Sequence, residues 1–183
     1  MVENEHVKPG DLFLGADSHT PTYGALGAFA VGVGSTDLAG VLRTGKTWLK
    51  VPQTVLFTLN GKLTKGVSSK DTILYKKKKM GVEGAVYEAI EFNGTAVESM
   101  TLASRMVLTN MVAEMGAKTG LVDTKGLQIP YPFEHQHVDE SANFRAKFTF
   151  DVSDIRPQIA KPHSPDNVVP IDELIGTKID AAF

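Results

Sequence analysis

An α/β fold is predicted by three features of this sequence. The stretch "DLFLGAD" (11–17) is a short apolar run ended by a polar loop, which suits a buried strand. The glycine-rich "YGALGAFAVGVG" (23–34) behind it reads as a helix whose small residues permit close packing on a sheet, so that strand, polar loop and helix make one α/β step. Farther on, apolar runs that close on Asn-Gly (53–61 and 85–94) alternate with helical patterns (68–81 and 101–116). The chain has 183 residues, 42% of them hydrophobic and 22% charged, which is ordinary globular material for one domain with a real core or for two small ones.

Each element has its own signal. "STDLAGVLRTG" (35–45) predicts a helix, with Ser35 and Thr36 as capping residues in front and Gly45 behind. A boundary falls near Pro52, where the texture changes to the alternating "TVLFTLNG"; Asn60-Gly61 marks a strand followed by a hairpin turn. "SSKDTILYKKKKMG" predicts a helix capped by Ser68 or Ser69 and stopped at Gly81, and "AVYEAIEFNG" a strand closed by a second Asn-Gly. A helix is expected over 102–115, with Gly116 as its cap. The stretch 123–143 is a polar, proline-containing connection, 144–152 resumes as an alternating strand, and 155–170 is rich in proline. No internal repeat interrupts this order.

The charge balance narrows the function. A net charge of -2 and a pI near 6.2 provide no electrostatic footprint for nucleic acid or for an anionic membrane, so small molecules and protein partners are the expected ligands. The opening "MVENEHVKPG" has no apolar leader segment and no run approaches the roughly 18 apolar residues of a membrane span; a soluble, cytoplasmic protein is expected. The absence of cysteine excludes disulfides, a thiolate zinc site, a cysteine nucleophile and an iron–sulfur cluster held by this chain alone.

Two places carry candidate chemistry. Asp17, Ser18 and His19 stand side by side after the first strand. They suit a polar turn in which Asp and Ser cap the next helix, and they equally supply a proton-moving imidazole, a carboxylate to orient it and a hydroxyl for a substrate oxygen. In the helix expected over 102–115, Asn110 and Glu114 share a face roughly opposite Arg105, among Met106, Val107, Met111 and Met115. A helix apolar over most of its circumference is a buried one, and a buried carboxylate needs a partner. Glu114 is then either a site residue or a residue at a wet helix end. Lys76, Lys77, Lys78 and Lys79 read as a solvated helix end. His135 and His137, beside Glu134, read as surface residues, since a third metal ligand at suitable spacing is missing, and His163 as a loop residue held by its prolines.

"GADSHTPTYGALGAFAVGVGSTD", followed by "TGKTWLKVP", "RMVLTNMVAEMGAKTGLV" and "AKPHSPDNVVPIDELIGTKIDAAF", resembles in order the aconitase superfamily, specifically the large subunits of 3-isopropylmalate dehydratase and homoaconitase. The resemblance covers nearly the whole chain. It implies an aconitase-like fold, a partial three-layer α/β/α arrangement with a small second α/β domain. It divides the chain into 1–52, the end of a first domain carrying the Asp-Ser-His loop; 53–135, a small α/β domain; and 136–183, a linker and the first strand of a third. It also implies dehydration and rehydration of a hydroxy-dicarboxylate, interconverting 2- and 3-isopropylmalate in leucine biosynthesis, with a 4Fe-4S cluster as Lewis acid. The family's active-site triplet falls on Asp17, Ser18 and His19, and its helix residues on Asn110 and Glu114.

By that resemblance His19, paired with Glu114, handles the proton of the leaving hydroxyl or incoming water. Ser18, Thr22 and Asn110 bind substrate, and Asp17 orients a neighbouring imidazole. Thr22 and Tyr23 stand where aconitase proper has Asn-Gly, which favours an isopropylmalate or homoaconitate enzyme over a citrate one. The family's His-Gln motif and its cluster cysteines have no counterpart here. The chain is therefore expected to be a central slice of the large subunit, inactive alone and completed by a cluster-bearing segment and by the small subunit. The contrasting expectation is a non-catalytic remnant serving as a binding or assembly module. Apolar surface left bare on 24–34 and the final strand is expected to drive self-association.

Overall fold

The computed structural model describes residues 2–80, 85–139, 141–164 and 166–181; the side chains of 76–80 fall outside it, so the expected lysine face at 76–79 and the stop at Gly81 lie outside the described residues. The chain opens with β1 (Leu12–Gly15), a 3-10 turn (Thr20–Leu26), β2 (Phe29–Gly32) and α1 (Ser35–Thr44). β1 and β2 pair in parallel, with Leu12 opposite Phe29 and Gly15 opposite Gly32. The single helix expected over 23–34 is thus a 3-10 turn and a strand. Gly27, at φ 77°, closes the turn, and the aromatic and β-branched residues behind it suit an extended chain better than a glycine-rich helix. β1 is not the buried strand expected: Leu12 is 61% exposed and none of the strand's four residues is fully buried.

α1 forms where expected and ends on Gly45 in the left-handed region, but Gly34 is its N-cap and neither Ser35 nor Thr36 caps it. None of its side chains is buried.

The middle of the chain runs β3 (Thr54–Asn60), α2 (Ser69–Met80), β4 (Ala89–Asn93), α3 (Thr95–Glu98), α4 (Leu102–Asn110), a 3-10 turn (Ala113–Met115) and β5 (Thr119–Val122), followed by β6 (Ala146–Asp151). These four strands form one parallel sheet in the order β5-β4-β3-β6. The Asn60-Gly61 pair therefore does not make the hairpin expected of it. The strand that follows β3 returns in parallel through α2, and Asn60 instead ends β3 by accepting the Thr95 amide at 3.3 Å, while the Gly61 amide donates to Thr95 Oγ1 at 3.1 Å. β6, the strand within 136–183, pairs with β3 as an edge of this same sheet.

One face of the sheet carries the core. Val55, Phe57, Leu59, Ile90, Phe92 and Val122 alternate along their strands toward Ile73 of α2, Ala96 and Val97 of α3, and Leu108 of α4. Phe57 sits at the centre, 5.6 Å from Phe92 and 5.5 Å from Phe148 between ring centroids. The alternate residues, Leu56, Glu91, Asn93 and Leu121, occupy the other face.

α2 starts after Ser68, whose amide and hydroxyl both donate to Asp71 Oδ2, at 2.8 and 2.7 Å. The second oxygen of Asp71 accepts the Gln158 amide at 2.6 Å. That bond ties β7 (Gln158–Ala160) and its antiparallel partner β8 (Val168–Pro170) to the helix start; a 3-10 turn (Ile171–Leu174) follows.

The β1–β2 unit docks on β5. The 3-10 turn Thr20–Leu26 packs on β5 and α4, Thr119 Oγ1 donates to the Ala30 carbonyl at 2.7 Å, and a Cβ on Gly24 would lie 1.6 Å from the Gly120 carbonyl oxygen. Gly24, Ala25, Leu26, Ala28, Ala30 and Val31 are consequently buried, and the bare apolar surface expected on this stretch is absent. Large exposed apolar side chains stand at Leu42, Trp48 and Val51 instead, and at Ile171, Ile175 and Ile179. No helix among the described residues is long and apolar enough to cross a membrane.

Candidate active-site cleft

The Asp-Ser-His loop leaves β1 at its carboxyl end. Asp17 Oδ1 accepts the His19 amide at 2.7 Å, and the Asp17 carbonyl accepts the Thr20 hydroxyl at 2.6 Å, so the acid starts the 3-10 turn as an Asx-turn residue does. The same Oδ1 stands 3.3 Å from His19 Nδ1, and Ser18 Oγ stands 3.4 Å from that nitrogen. Turn and site therefore use the same atoms. A carboxylate on Nδ1 fixes the tautomer in which Nε2 faces outward as an acceptor. Both side chains are open to water, His19 at 61% and Asp17 at 72% exposure.

Three residues into the turn, Thr22 meets α4. Thr22 Oγ1 donates to Asn110 Oδ1 at 3.1 Å, and the Thr22 carbonyl accepts the Thr109 hydroxyl at 3.0 Å. Two residues singled out from the sequence 88 positions apart are thus joined directly. They line an open cleft of about 270 Å³ together with Lys70 of α2 and Met106, Val107 and Met111.

Glu114 does not take the place expected of it. α4 ends at Asn110, and Glu114 belongs to the separate 3-10 turn Ala113–Met115, which rotates it off the helical wheel of α4. It is exposed, and no ion pair joins it to His19. The carboxylate beside His19 is Asp17.

The buried charge on α4 is Arg105, fully enclosed, where the wheel placed it roughly opposite Asn110 and Glu114. Its guanidinium donates to three carbonyls: Met100 at 3.3 Å, Asp123 at 2.6 Å and Lys125 at 2.6 Å. Burial pushes its pKa down, against the pull of Asp123 and Glu98. Arg105 thereby clamps the loop after β5 to the start of the helix that carries Asn110. Sequence reading also passed over Lys70, whose only signal was its place at a helix start, two residues after a capping serine.

A second cavity, of about 330 Å³, lies at the carboxyl ends of β4 and β5, lined by Asn93, Glu98, Asp123, Lys125, His137 and Val138 among others. Most of its polar groups are spent on one another. Asp123 accepts the Lys125 and Val138 amides at 2.8 and 3.3 Å and stands 3.3 Å from His137 Nδ1, and Lys125 Nζ pairs with Glu98 at 3.0 Å. His135 stacks on His137 at 5.6 Å and meets Thr124 Oγ1 through Nδ1 at 3.3 Å.

An iron–sulfur cluster does not fit the residues of this chain. The sequence has no cysteine, and among the described residues no three His, Asp or Glu side chains converge in a ligating group.

Residues 1–182 match the family described as Aconitase family (aconitate hydratase). The 3-isopropylmalate dehydratase large subunit 1 of Methanopyrus kandleri is 48% identical over 190 aligned positions, which cover 100% of this chain and 46% of that protein. A probable methanogen homoaconitase large subunit of Methanosarcina mazei is 46% identical over 190 positions, covering 100% of this chain and 49% of that protein. The 3-isopropylmalate dehydratase large subunit of Hydrogenobaculum sp. is 45% identical, with 100% and 45% covered. The chain spans about half the length of the curated relatives it matches.

Proposed function

The chain belongs to the aconitase family, and from that premise we propose that it supplies the substrate-side part of a hydro-lyase acting on a hydroxy-dicarboxylate of the 3-isopropylmalate type, in the leucine pathway of the cytoplasm. The Thr22–Asn110 hydrogen bond carries the reading, because it ties the 3-10 turn that follows the Asp-Ser-His loop to the α4 helix. His19 Nε2 takes or returns the proton of the hydroxyl or water at the substrate carbon. Asp17 holds the imidazole in the required tautomer, as a carboxylate within reach of Nδ1 does. Ser18 and Asn110 hydrogen-bond substrate oxygens, and Thr22 orients the Asn110 amide. By the family resemblance Glu114 is the second carboxylate of the site, although it belongs to the 3-10 turn Ala113–Met115 and is exposed.

The 4Fe-4S cluster of the family would need thiolates from outside these 183 residues, and a small subunit would close the site, so the isolated chain is inactive. The 46% identity to a probable homoaconitase large subunit supports homoaconitate as the alternative substrate. A non-catalytic assembly role draws its support from the exposed Leu42, Trp48 and Val51.

A chimera tests the reading: this chain replaces the aligned 190 positions of the Methanopyrus kandleri relative, and the unsaturated dehydration product is followed by absorbance. Activity is expected, with a loss of at least about 100-fold on His19→Ala, the range of a lost general acid–base. A folded, cluster-bearing chimera that is inactive, or one indifferent to His19→Ala, overturns the reading.

A further inference from the structure

We propose that the exposed face formed by the end of α1 and the segment 46–51 is a docking surface for a second copy of this chain, and that it receives the segment 171–180 of that copy. The inference goes beyond the hydro-lyase reading and does not depend on it; it names the partner that an assembly role leaves open.

The first observation is one of charge. Between Asp37 and Asp71 the chain carries six cations and no acid, although the whole chain has 19 cations against 21 acids. Three of the six, Arg43, Lys46 and Lys50, are exposed at this face and have no ion pair among the described residues. Leu42, Trp48 and Val51 stand among them, each at least 80% exposed. Cations beside bare apolar groups attract a partner that is acidic and apolar at once, and they repel a copy of the same face.

The second observation is the backbone. Residues 46–51 lie outside any helix or strand. The Lys46 amide and carbonyl meet the Thr44 hydroxyl, each at 3.2 Å. The amides of Thr47, Trp48, Leu49, Lys50 and Val51 donate to no group among the described residues. A row of free donors is a template for an extended partner segment.

The chain itself has a segment of the required chemistry. Over 171–180, Ile171, Ile175 and Ile179 are 49%, 85% and 66% exposed, and they stand among Asp172, Glu173 and Asp180. Arg156 holds Asp172 and Glu173 at 2.5 and 3.5 Å, and Lys178 holds Asp180 at 2.6 Å. Such surface pairs are worth little and exchange readily for an incoming cation, and three acids against two cations leave the segment negative. Both regions stay bare in the single molecule, so neither covers the other within it. One extended segment against another falls at the low end of protein interfaces, under about 1,200 Å² in total, so the contact is reversible and salt-dependent.

Sedimentation equilibrium of the 183-residue chain tests the contact. Association is expected to weaken about tenfold between about 0.05 M and about 0.5 M salt, the size of three screened surface pairs. One variant carries Lys46→Glu and Lys50→Glu, and another carries Glu173→Lys and Asp180→Lys. Each alone is expected to be monomeric with an unchanged unfolding temperature, because all four side chains are exposed. Mixed, the two are expected to associate, since each supplies the half of the contact that the other has lost. Association of either variant alone as strong as the parent's, association indifferent to salt, or a parent chain that stays monomeric overturns the proposal. A monomeric parent that sediments with phosphatidylserine vesicles would assign the face to a membrane instead. None of these outcomes bears on the chimera, so the docking surface and the hydro-lyase reading fail separately.

Discussion

At the scale of single residues, the buried Arg105 and the half-buried Glu91 make opposite demands. Arg105 is enclosed with its charge spread over three carbonyls, and Arg105→Ala would leave those acceptors unpaired in the interior. A loss of about 3–5 kcal/mol in urea unfolding is expected, the range for breaking a buried charged network. Arg105→Lys is expected to recover only part of it, since an ammonium lacks the planar fork. Glu91, on the opposite face of the sheet, is raised from 4.5 to about 7 by burial, with the charges of Asp123 and Asp139 pushing the same way. Its protonated form is thus favoured by folding. Below pH 4.5 both states hold the proton; between 4.5 and 7 the unfolded chain releases it and the folded chain does not, so stability falls as pH rises and levels off above 7. Discounted for the water that still reaches the group, the fall is about 2 kcal/mol. Glu91→Gln is expected to flatten that part of the profile in urea midpoints measured at pH 5 and pH 8; a variant that falls as steeply as the parent would show the assignment wrong. The sequence marked Asn110 and Thr22 because a family pattern passes through them, but not that Arg105 is the enclosed charge. Its acceptors come from positions 100, 123 and 125, and no helical wheel contains the last two.

Among the elements, what could be read locally was what the local chain decides. The α2 start was legible because Ser68 and Asp71 bond each other across one turn, and the strands 54–60 and 89–93 were legible from the alternation that places Phe57 and Phe92 in the core. The direction of pairing was not, because an Asn-Gly pair ends a parallel strand as readily as it turns a hairpin, and the choice is made by where α2 returns the chain. The stretch 23–34 was misread for a related reason: its small residues do serve close packing, but of a 3-10 turn on β5 rather than of a helix. Gly24 is the test. Its φ is not the issue; a methyl group there would meet the Gly120 carbonyl oxygen at 1.6 Å, and that neighbour is backbone. Gly24→Ala is expected to cost about 3 kcal/mol, the upper range of overpacking, and to separate Thr22 from Asn110. Thermal unfolding gives the first, and a changed chemical shift of the Asn110 side-chain amide, whose Oδ1 accepts from Thr22, gives the second. Asp71→Ala removes the cap of α2 and the anchor of the Gln158 amide together. Since a helix cap alone is worth about 1 kcal/mol, a larger loss is expected in the same measurement, with the excess reporting the tie to β7.

For the whole molecule, the exposed apolar side chains decide behaviour in solution. α1 buries none of its residues, Leu42 on it is 81% exposed, and the chain continues through Trp48 at 80% and Val51 at 82%. Such a run of bare apolar groups is a contact surface in need of a cover, whereas scattered single residues are not. The sequence pointed to self-association but placed its cause on 24–34 and the final strand; 24–34 proved to be packed between β5 and α4, and burial of that stretch depends on a partner strand about ninety residues away. Self-association is therefore expected still, through α1 and the segment behind it. Sedimentation velocity at rising concentration should show a shift from monomer to larger species, and a Leu42→Lys, Trp48→Lys double variant should remain monomeric without loss of unfolding temperature, because neither side chain contributes to the core. A parent chain that stays monomeric at high concentration would show that the bare surface is harmless in water. The curated relatives are about twice as long and have further polypeptide with which to cover it. Adding the cysteine-bearing segment of such a relative in trans should then do two things at once: suppress the association, and give the mixture, after iron and sulfide reconstitution, the brown absorbance that the chain alone cannot develop without a thiolate. Colour in the chain alone, or association unchanged by the added segment, would break the proposed link between this surface and a cluster-bearing segment.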